Sequence, residues 1–108
     1  MTSREILVRR NEFNVAEQRR RIAQIEATIV EFERRCADLD REIKLQQHHA
    51  GVHDPSHVAY PIYAKWVLTR RENLTRSVDQ LKIQLDQAKD ALDTALQELR
   101  VTEEGAEQ

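Results

Sequence analysis

The fold is decided by residues 22–43, whose sequence is IAQIEATIVEFERRCADLDREI. Apolar residues recur there in unbroken steps of three and four, and they are Ile22, Ile25, Ile29, Phe32, Cys36, Leu39 and Ile43. The second half of the chain repeats these steps with Leu74, Val78, Leu81, Leu85, Ala88, Leu92, Ala95 and Leu99. Such spacing forms one narrow stripe on a helix that packs against a partner helix. The sequence therefore predicts an all-α fold, a long antiparallel two-helix coiled-coil hairpin.

Composition favours a surface-rich helical protein over a compact globule. Only 5% of the 108 residues are aromatic, whereas 33% are charged, and this is the balance of a long exposed helix in one domain at most. The two prolines and Gly51 fall together near the middle of the chain. Because proline and glycine interrupt helices, we expect one turn region between two helical arms.

The charge balance argues against broad electrostatic binding of nucleic acid or of an anionic membrane. The chain has 17 basic and 19 acidic residues and a formal net charge of -2, so it has no wide positive field. No apolar run approaches the roughly 20 residues that span a bilayer, and the amino terminus lacks the apolar core of a secretion signal. We therefore expect a cytoplasmic location.

Capping signals indicate where the first helix begins. Thr2-Ser3-Arg4-Glu5 has the form in which a hydroxyl and a carboxylate satisfy free backbone amides, so the helix is expected to begin at Thr2 or Ser3. Nothing interrupts it before Gly51. The predicted segments of this single coiled-coil domain are helix one at about residues 3–48, a turn at about 49–60, helix two at about 61–102 and an acidic flexible tail at 103–108.

The start of the second helix has two interpretations. Asp54-Pro55 has the form of a helix cap followed by proline at the first helical position, which allows a short helical turn before the main helix. Alternatively, Pro61 begins the helix itself. We favour a start near Pro61, because proline inside a continuous helix would cost about 3 kcal/mol.

Pairing the two apolar stripes allows two registers that differ by one heptad. One register places Phe32 near Val78, and the other places Phe32 near Arg71. We prefer the first, because it centres the turn near Pro55 and leaves Arg71 opposite Leu39 toward the tip of the hairpin.

The sequence contains no recognisable enzymatic motif, and we expect neither catalysis nor a cofactor. A loop that cradles phosphate needs several glycines close together, and this chain has two, Gly51 and Gly105. Cys36 is the only cysteine, which excludes an internal disulfide, and its place on the apolar stripe favours a buried, inert thiol over a nucleophile.

All four histidines crowd into the turn region, and they are His48, His49, His53 and His57. Imidazoles beside Asp54 are competent ligands for zinc or nickel. Their spacing matches no strong motif, however, so a solvated polar turn is the preferred interpretation and the histidines are weak metal candidates.

Three groups of residues outside the stripes are candidates for partner binding. Ile6, Leu7 and Phe13 leave apolar surface near the chain end. Arg19, Arg20 and Arg21 have few acidic neighbours and suit an acidic protein surface, although most arginine clusters here are expected to be solvated. Tyr63 and Trp66 lie at the start of helix two, where they either contact a partner or fold over the turn as a cap.

The run from Asp54 to Lys65, DPSHVAYPIYAK, together with the coiled-coil hairpin, the arginine-rich first arm and the His/Gly turn, resembles the flagellar export protein J family. The resemblance covers nearly all of the chain and is closest to the short forms of alphaproteobacteria. It implies a non-enzymatic component of the flagellar type III export apparatus, similar to the central stalk of rotary ATPases.

This resemblance also implies partners. They are the hexameric export ATPase and the cytoplasmic domain of the membrane export gate, with export substrates or chaperones as further candidates and membrane association only through the partners. By analogy with the stalk, the paired chain ends would enter the ATPase ring. That end carries Ile6, Leu7, Phe13, Leu96 and Val101. The aromatic end would then face the gate.

Two rival functions remain compatible with the residues. One is a general chaperone whose coiled-coil ends clasp unfolded clients. The other is a self-assembling structural coiled coil in which Cys36 and the stripes pack between chains.

Overall fold

The computed structural model describes residues 1–106, and within them it contains two helices and no strand. Helix α1 spans Ser3–Ala50 and helix α2 spans Ile62–Ala106. The chain divides into two compact units: unit 1 comprises Met1–Ala27 with Lys82–Gln108, and unit 2 comprises Thr28–Leu81. The predicted all-α two-helix hairpin is confirmed.

A side-chain cap begins α1. The Thr2 hydroxyl accepts a hydrogen bond from the Glu5 backbone N–H at 3.1 Å, and the Thr2 carbonyl accepts the first helical bond, from Ile6. Thr2 therefore satisfies an amide that the helix itself leaves free. The predicted start at Thr2 or Ser3 is confirmed.

Gly51 ends α1. Its backbone N–H donates to the carbonyl of Gln47 at 2.9 Å, and its φ of 70° lies in the left-handed region. Only glycine adopts this conformation without steric cost, which is why glycine commonly follows the last residue of a helix. The first helix thus ends at Ala50, two residues beyond the predicted position.

Hydrogen bonds within the turn show that α2 begins directly after Pro61. The Asp54 carboxylate accepts bonds from both the backbone N–H and the hydroxyl of Ser56, which makes a local turn and not a helix cap. Lys65 donates its backbone N–H to the Pro61 carbonyl at 3.2 Å, so Pro61 directly precedes the helix. The favoured start near Pro61 is confirmed.

Helix α2 is longer than predicted at its carboxyl end. It continues to Ala106, whereas the sequence interpretation ended it at about residue 102 and assigned a flexible tail from there on. Glutamate is a good helix former, so Glu103 and Glu104 continue the helix past Thr102. The tail prediction is wrong for residues 103–106, and its last two residues lie outside the described ones.

Unit 1 buries the predicted stripe only in part. Its buried apolar side chains are Val15, Ile25, Ala88 and Ala95. Toward the chain ends the stripe becomes polar, because Asn11 and Gln18 continue its steps of three and four before Ile22. The Asn11 side-chain amide donates to the Thr102 hydroxyl at 2.9 Å, and the Oε1 atom of Gln18 is buried without a hydrogen-bond partner among the described residues. Both residues place polar groups where apolar packing would otherwise join the arms.

Unit 2 has the larger buried set, namely Ile29, Ile43, Tyr60, Ala64, Val67 and Val78. Arg71 of the second arm forms an ion pair with Asp40 of the first arm. Because Asp40 follows Leu39 directly, this pair is what the preferred register requires, and that register is confirmed. Cys36 is half-buried, whereas its place on the stripe predicted a buried thiol.

Candidate functional site

An open groove lies between the two arms of unit 1, and we call it the end groove. Its apolar lining comes from Leu7, Phe13 and Val101, whose exposed fractions are 42%, 66% and 58%. The heptad explains this exposure, because these residues lie outside the seam positions that face the partner helix. Three large apolar side chains on one side of a helix pair are typical of a protein contact surface.

Charged and polar side chains flank the end groove on both arms. Arg10 lines it from α1 and Glu98 lines it from α2. Among the described residues, neither side chain forms a hydrogen bond or an ion pair. The lining of the groove therefore combines three apolar side chains with these two charges and with the polar residues Asn11, Asn14, Gln97 and Thr102. The sequence interpretation did not single out either charge.

The remaining apolar candidates of the chain end do not join this groove. Ile6 is exposed at 55% and Leu96 is half-buried, and neither lines the end groove. Of the five apolar residues named for the paired ends, the structure thus brings three together, on one side of unit 1.

The arginines 19–21 are all exposed. Arg20 forms an ion pair with Glu17 one helical turn earlier, while Arg19 and Arg21 have no ion pair among the described residues. Successive helical residues point about 100° apart, so the three guanidinium groups do not form one binding face. An exposed pair of this kind contributes little to stability.

A second exposed surface lies beside the turn in unit 2, and we call it the turn-side patch. It consists of Val58, Ile62, Tyr63 and Trp66, which are exposed at 99%, 81%, 51% and 77%. The Tyr63 hydroxyl donates to the Glu42 carboxylate on the first arm. This bond, followed by the negative charge of Glu42, raises the pKa of Tyr63 above its ordinary value, because both oppose loss of the phenolic proton.

Tyr60, and not Trp66 or Tyr63, is the aromatic residue that closes the turn. Tyr60 is 3% exposed and accepts a hydrogen bond from the Gln47 side-chain amide at 3.0 Å. Trp66 stands in solvent, so the interpretation that it folds over the turn as a cap is wrong. The sequence signal for its burial is spacing, because Tyr60 lies four and seven residues before Ala64 and Val67, which are also buried.

The four histidines do not form a metal site. All of them are exposed, and the described residues contain no group of three or more histidine, cysteine, aspartate or glutamate side chains placed to hold a metal ion. His57 instead accepts the backbone N–H of Ala59 at its Nδ1 atom, at 3.0 Å. The preferred interpretation, a solvated polar turn, agrees with their exposure.

Comparison with known protein families, with curated proteins and with solved structures gave no match. Among the described residues, neither helix contains a segment long and apolar enough to cross a membrane. The fold class is therefore established from the helices themselves as an all-α coiled-coil hairpin, and any assignment of function depends on the two exposed surfaces and on the sequence.

Proposed function

We propose that this protein is a non-enzymatic interaction protein, a stalk and adaptor of the flagellar type III export apparatus. In this proposal the end groove of unit 1 contacts the export ATPase ring, and the turn-side patch of unit 2 contacts the cytoplasmic domain of the export gate. The protein would then couple ATP hydrolysis to export from a peripheral position at the inner membrane. Chaperone-like handling of export substrates is a further role in the same proposal.

The observation that carries this proposal is the exposure of Trp66, at 77%. It is the only tryptophan of an aromatic-poor chain, and tryptophan is among the residues that most often anchor protein interfaces. A large indole left in solvent gains free energy when a partner buries it, at roughly 25 cal/mol per Å² of apolar surface. An exposed tryptophan at this position therefore favours a contact surface for another protein.

Support for two partners comes from the separation of the exposed apolar residues along the sequence. Phe13 and Val101 belong to unit 1, whereas Ile62 and Trp66 belong to unit 2. Each unit thus has an exposed apolar surface of its own. This arrangement suits an adaptor better than a protein with a single binding site.

The first test is co-purification with the export ATPase of the same organism. Leu7→Asp combined with Phe13→Asp should abolish co-purification, because two charged groups would replace the apolar lining of the end groove and lose their hydration in the complex. Val30→Asp is the matched control, since Val30 is exposed at 67% and does not line the groove. Unchanged binding of the double variant would contradict ring contact through this groove.

A second test addresses the gate. Trp66→Ala should weaken binding to the gate's cytoplasmic domain by about tenfold or more, which is the loss expected for an interface anchor. Ile83→Ala, at a residue exposed at 60% outside the turn-side patch, should leave the affinity unchanged. Equal binding of wild-type and Trp66→Ala protein, with helix content intact, would contradict the assignment. Binding of many unrelated unfolded proteins instead would favour a general chaperone.

A further inference from the structure

Two positive charges beside the turn-side patch have no acidic partner. The side chains of Lys65 and Arg70 are exposed, and among the described residues neither forms an ion pair. The carboxylates of this region are engaged elsewhere, because each one between residues 38 and 72 already forms an ion pair or a hydrogen bond with another side chain. These carboxylates belong to Asp38, Asp40, Glu42, Asp54 and Glu72. An acidic group that pairs with Lys65 or Arg70 would therefore come from another molecule.

Helical spacing places Trp66 between these two cations. Ile62, Trp66 and Arg70 follow one another in steps of four, so they form one row along α2. Lys65 lies about 100° round the helix from Trp66, on the side away from Arg70. Side chains on a helix lean toward its amino terminus, so Arg70 leans toward Trp66 and Lys65 leans toward Ile62. Each exposed apolar side chain of the row thus has a cation beside it.

The charge of Arg70 acts within the patch itself. The hydrogen bond from Tyr63 to Glu42 is the main cause that raises the pKa of Tyr63, and the positive charge of Arg70 opposes this rise. Such an effect requires that the two groups lie close together, because the interaction of charges weakens with distance. The guanidinium of Arg70 therefore lies beside the aromatic residues of the patch.

The row projects from a convex surface. Ala64 lies two residues before Trp66, on nearly the opposite side of α2, and is 0% exposed, whereas Trp66 is 77% exposed. A helix with its side chains is a cylinder about 10–12 Å across. An indole that stands out from such a cylinder is buried well only when the partner provides a pocket for it.

We propose that the turn-side patch binds a protein surface in which carboxylates surround an apolar pocket. Trp66 enters the pocket, and Lys65 and Arg70 pair with the carboxylates at its rim. A basic or neutral rim would leave the two cations desolvated and unpaired, which is costly. This inference rests on the proposed function and deepens it, since it states the chemistry that the cytoplasmic domain of the export gate presents to this patch.

An anionic membrane suits the patch less well than an acidic protein surface. Asp54 and Lys65 are the only aspartate, glutamate, lysine or arginine residues between positions 48 and 66, so their formal charges cancel. Attraction to anionic lipid contributes about 1 kcal/mol for each lysine or arginine near the surface, and lipid-binding segments carry clusters of about 4 to 8. Two carboxylates at fixed positions, by contrast, match Lys65 and Arg70 one to one.

Fluorine NMR of the full chain tests the insertion of Trp66. Labelling with 5-fluorotryptophan gives a single resonance, because Trp66 is the only tryptophan of the chain. Addition of the unlabelled cytoplasmic domain of the gate should shift this resonance as the indole leaves water. The dissociation constant should rise steeply with salt, because ions screen the pairs at the rim. Isothermal titration calorimetry measures that constant.

Charge variants test the acidic rim. Lys65→Glu combined with Arg70→Glu should raise the dissociation constant by about tenfold or more and weaken its salt dependence, because each rim contact becomes a like-charge pair. Lys65→Gln combined with Arg70→Gln should raise it by less. Lys82→Glu combined with Lys89→Glu is the matched control, since it makes the same charge change at exposed residues of α2 outside the patch, and should leave the affinity unchanged.

Circular dichroism should show the same helix content in all of these variants. If the glutamate pair lowers the helix content, the glutamine pair decides the result, because it removes the cations without adding negative charge.

The outcomes separate this inference from the proposed function. Gate binding with a dissociation constant that neither the charge variants nor salt changes would overturn the acidic rim and leave gate contact intact. An unmoved Trp66 resonance in the complex would overturn the insertion of the indole. Failure of the wild-type chain to bind the gate domain would overturn both proposals. A resonance that shifts with vesicles of phosphatidylserine and phosphatidylcholine in equal parts, without the gate domain, would make lipid the occupant.

Discussion

Units 1 and 2 are formed by the same heptad pattern, yet different contacts join their arms. In unit 2 six apolar side chains are buried, and Arg71 pairs with Asp40 and Tyr63 bonds Glu42 across the arms. In unit 1 the arms are joined by the bond between Asn11 and Thr102. In unit 1 two of the four buried apolar side chains are alanines, and large apolar residues such as Phe13 stand in solvent. The difference teaches that heptad spacing specifies which faces of the two helices pair. The size of the side chains and the polar contacts between the arms then decide how far each unit buries its apolar residues without a partner.

Replacing one buried and one exposed aromatic residue tests this comparison with the largest expected effect. Tyr60→Ala should lower the free energy of unfolding by about 3 kcal/mol, because it removes a buried ring and the partner of Gln47. Phe13→Ala, in unit 1, should change it by no more than about 0.5 kcal/mol. Urea unfolding followed by circular dichroism measures both. Similar losses for the two variants would show that the ring of Phe13 is packed and not free.

Completing the apolar stripe of unit 1 should stabilise the chain. Asn11→Leu places an apolar side chain at a seam position, and Thr102 keeps its bonds to the carbonyls of Glu98 and Leu99, so no buried hydroxyl loses its partner. We expect a gain of about 1 kcal/mol in the free energy of unfolding, since a polar residue in the seam costs stability. Thermal and urea unfolding measure this gain.

Asn73→Leu is the control for this substitution, because Asn73 is exposed and lies outside the stripe. It should leave the free energy of unfolding within about 0.5 kcal/mol of wild type. If Asn11→Leu destabilises the chain while Asn73→Leu does not, the bond between Asn11 and Thr102 stabilises unit 1 more than apolar packing would. The arms of units 1 and 2 would then be joined by more similar contacts than we propose.

A smaller effect is expected from the ion pair that joins the arms of unit 2. The side chains of Arg71 and Asp40 are 39% and 43% exposed, so water and salt screen their attraction. A double-mutant cycle with Arg71→Ala and Asp40→Ala should give a coupling energy of about 0.5 kcal/mol that falls at high salt. The pair Glu72 and Arg76 lies within α2 and serves as a control that cannot join the arms. A coupling energy of zero at low salt would show that the ion pair of Arg71 and Asp40 does not help to join the arms of unit 2.

The smallest effect concerns the protonation of Tyr63. Its hydrogen bond to Glu42 raises its pKa in the folded chain. The stabilisation from this bond is therefore complete below the ordinary tyrosine pKa of about 10 and is lost as the pH rises through the higher folded value. Glu42→Gln should return the pKa of Tyr63 toward about 10. Ultraviolet absorbance of the tyrosinate measures this, and loss of the shifted titration in Tyr63→Phe assigns it. An unshifted wild-type titration would contradict the bond.

The seam was predictable because helical periodicity alone decides which side chains face the other arm. Ile25, Val78 and Ala88 are buried for that reason, although they differ in size. The register was also predictable, since the position of the turn leaves Arg71 near Leu39. These properties depend on residue spacing, which the sequence states directly.

The environment of the aromatic residues beside the turn could be predicted only in part. Whether Trp66 folds over the turn or stands in solvent depends on the path between Gly51 and Pro61, and that path follows from local bonds such as those of Asp54 to Ser56. Likewise, the end groove forms only when the two arms are paired, because both arms contribute its lining. The spacing of residues within one helix does not predict the path of the turn beside Trp66 or the composition of the end groove.

The chirality of amino acids has a direct consequence at Gly51. A Cβ atom built on this residue would meet nothing within 4 Å, so the position has room for a side chain and excludes one only through its φ of 70°. An L-residue is strained in that conformation, whereas the mirror-image D-residue prefers it. The chain reversal thus disfavours an L side chain because of handedness and not because of space, and D-alanine would meet its geometric demand equally well while restricting the unfolded chain.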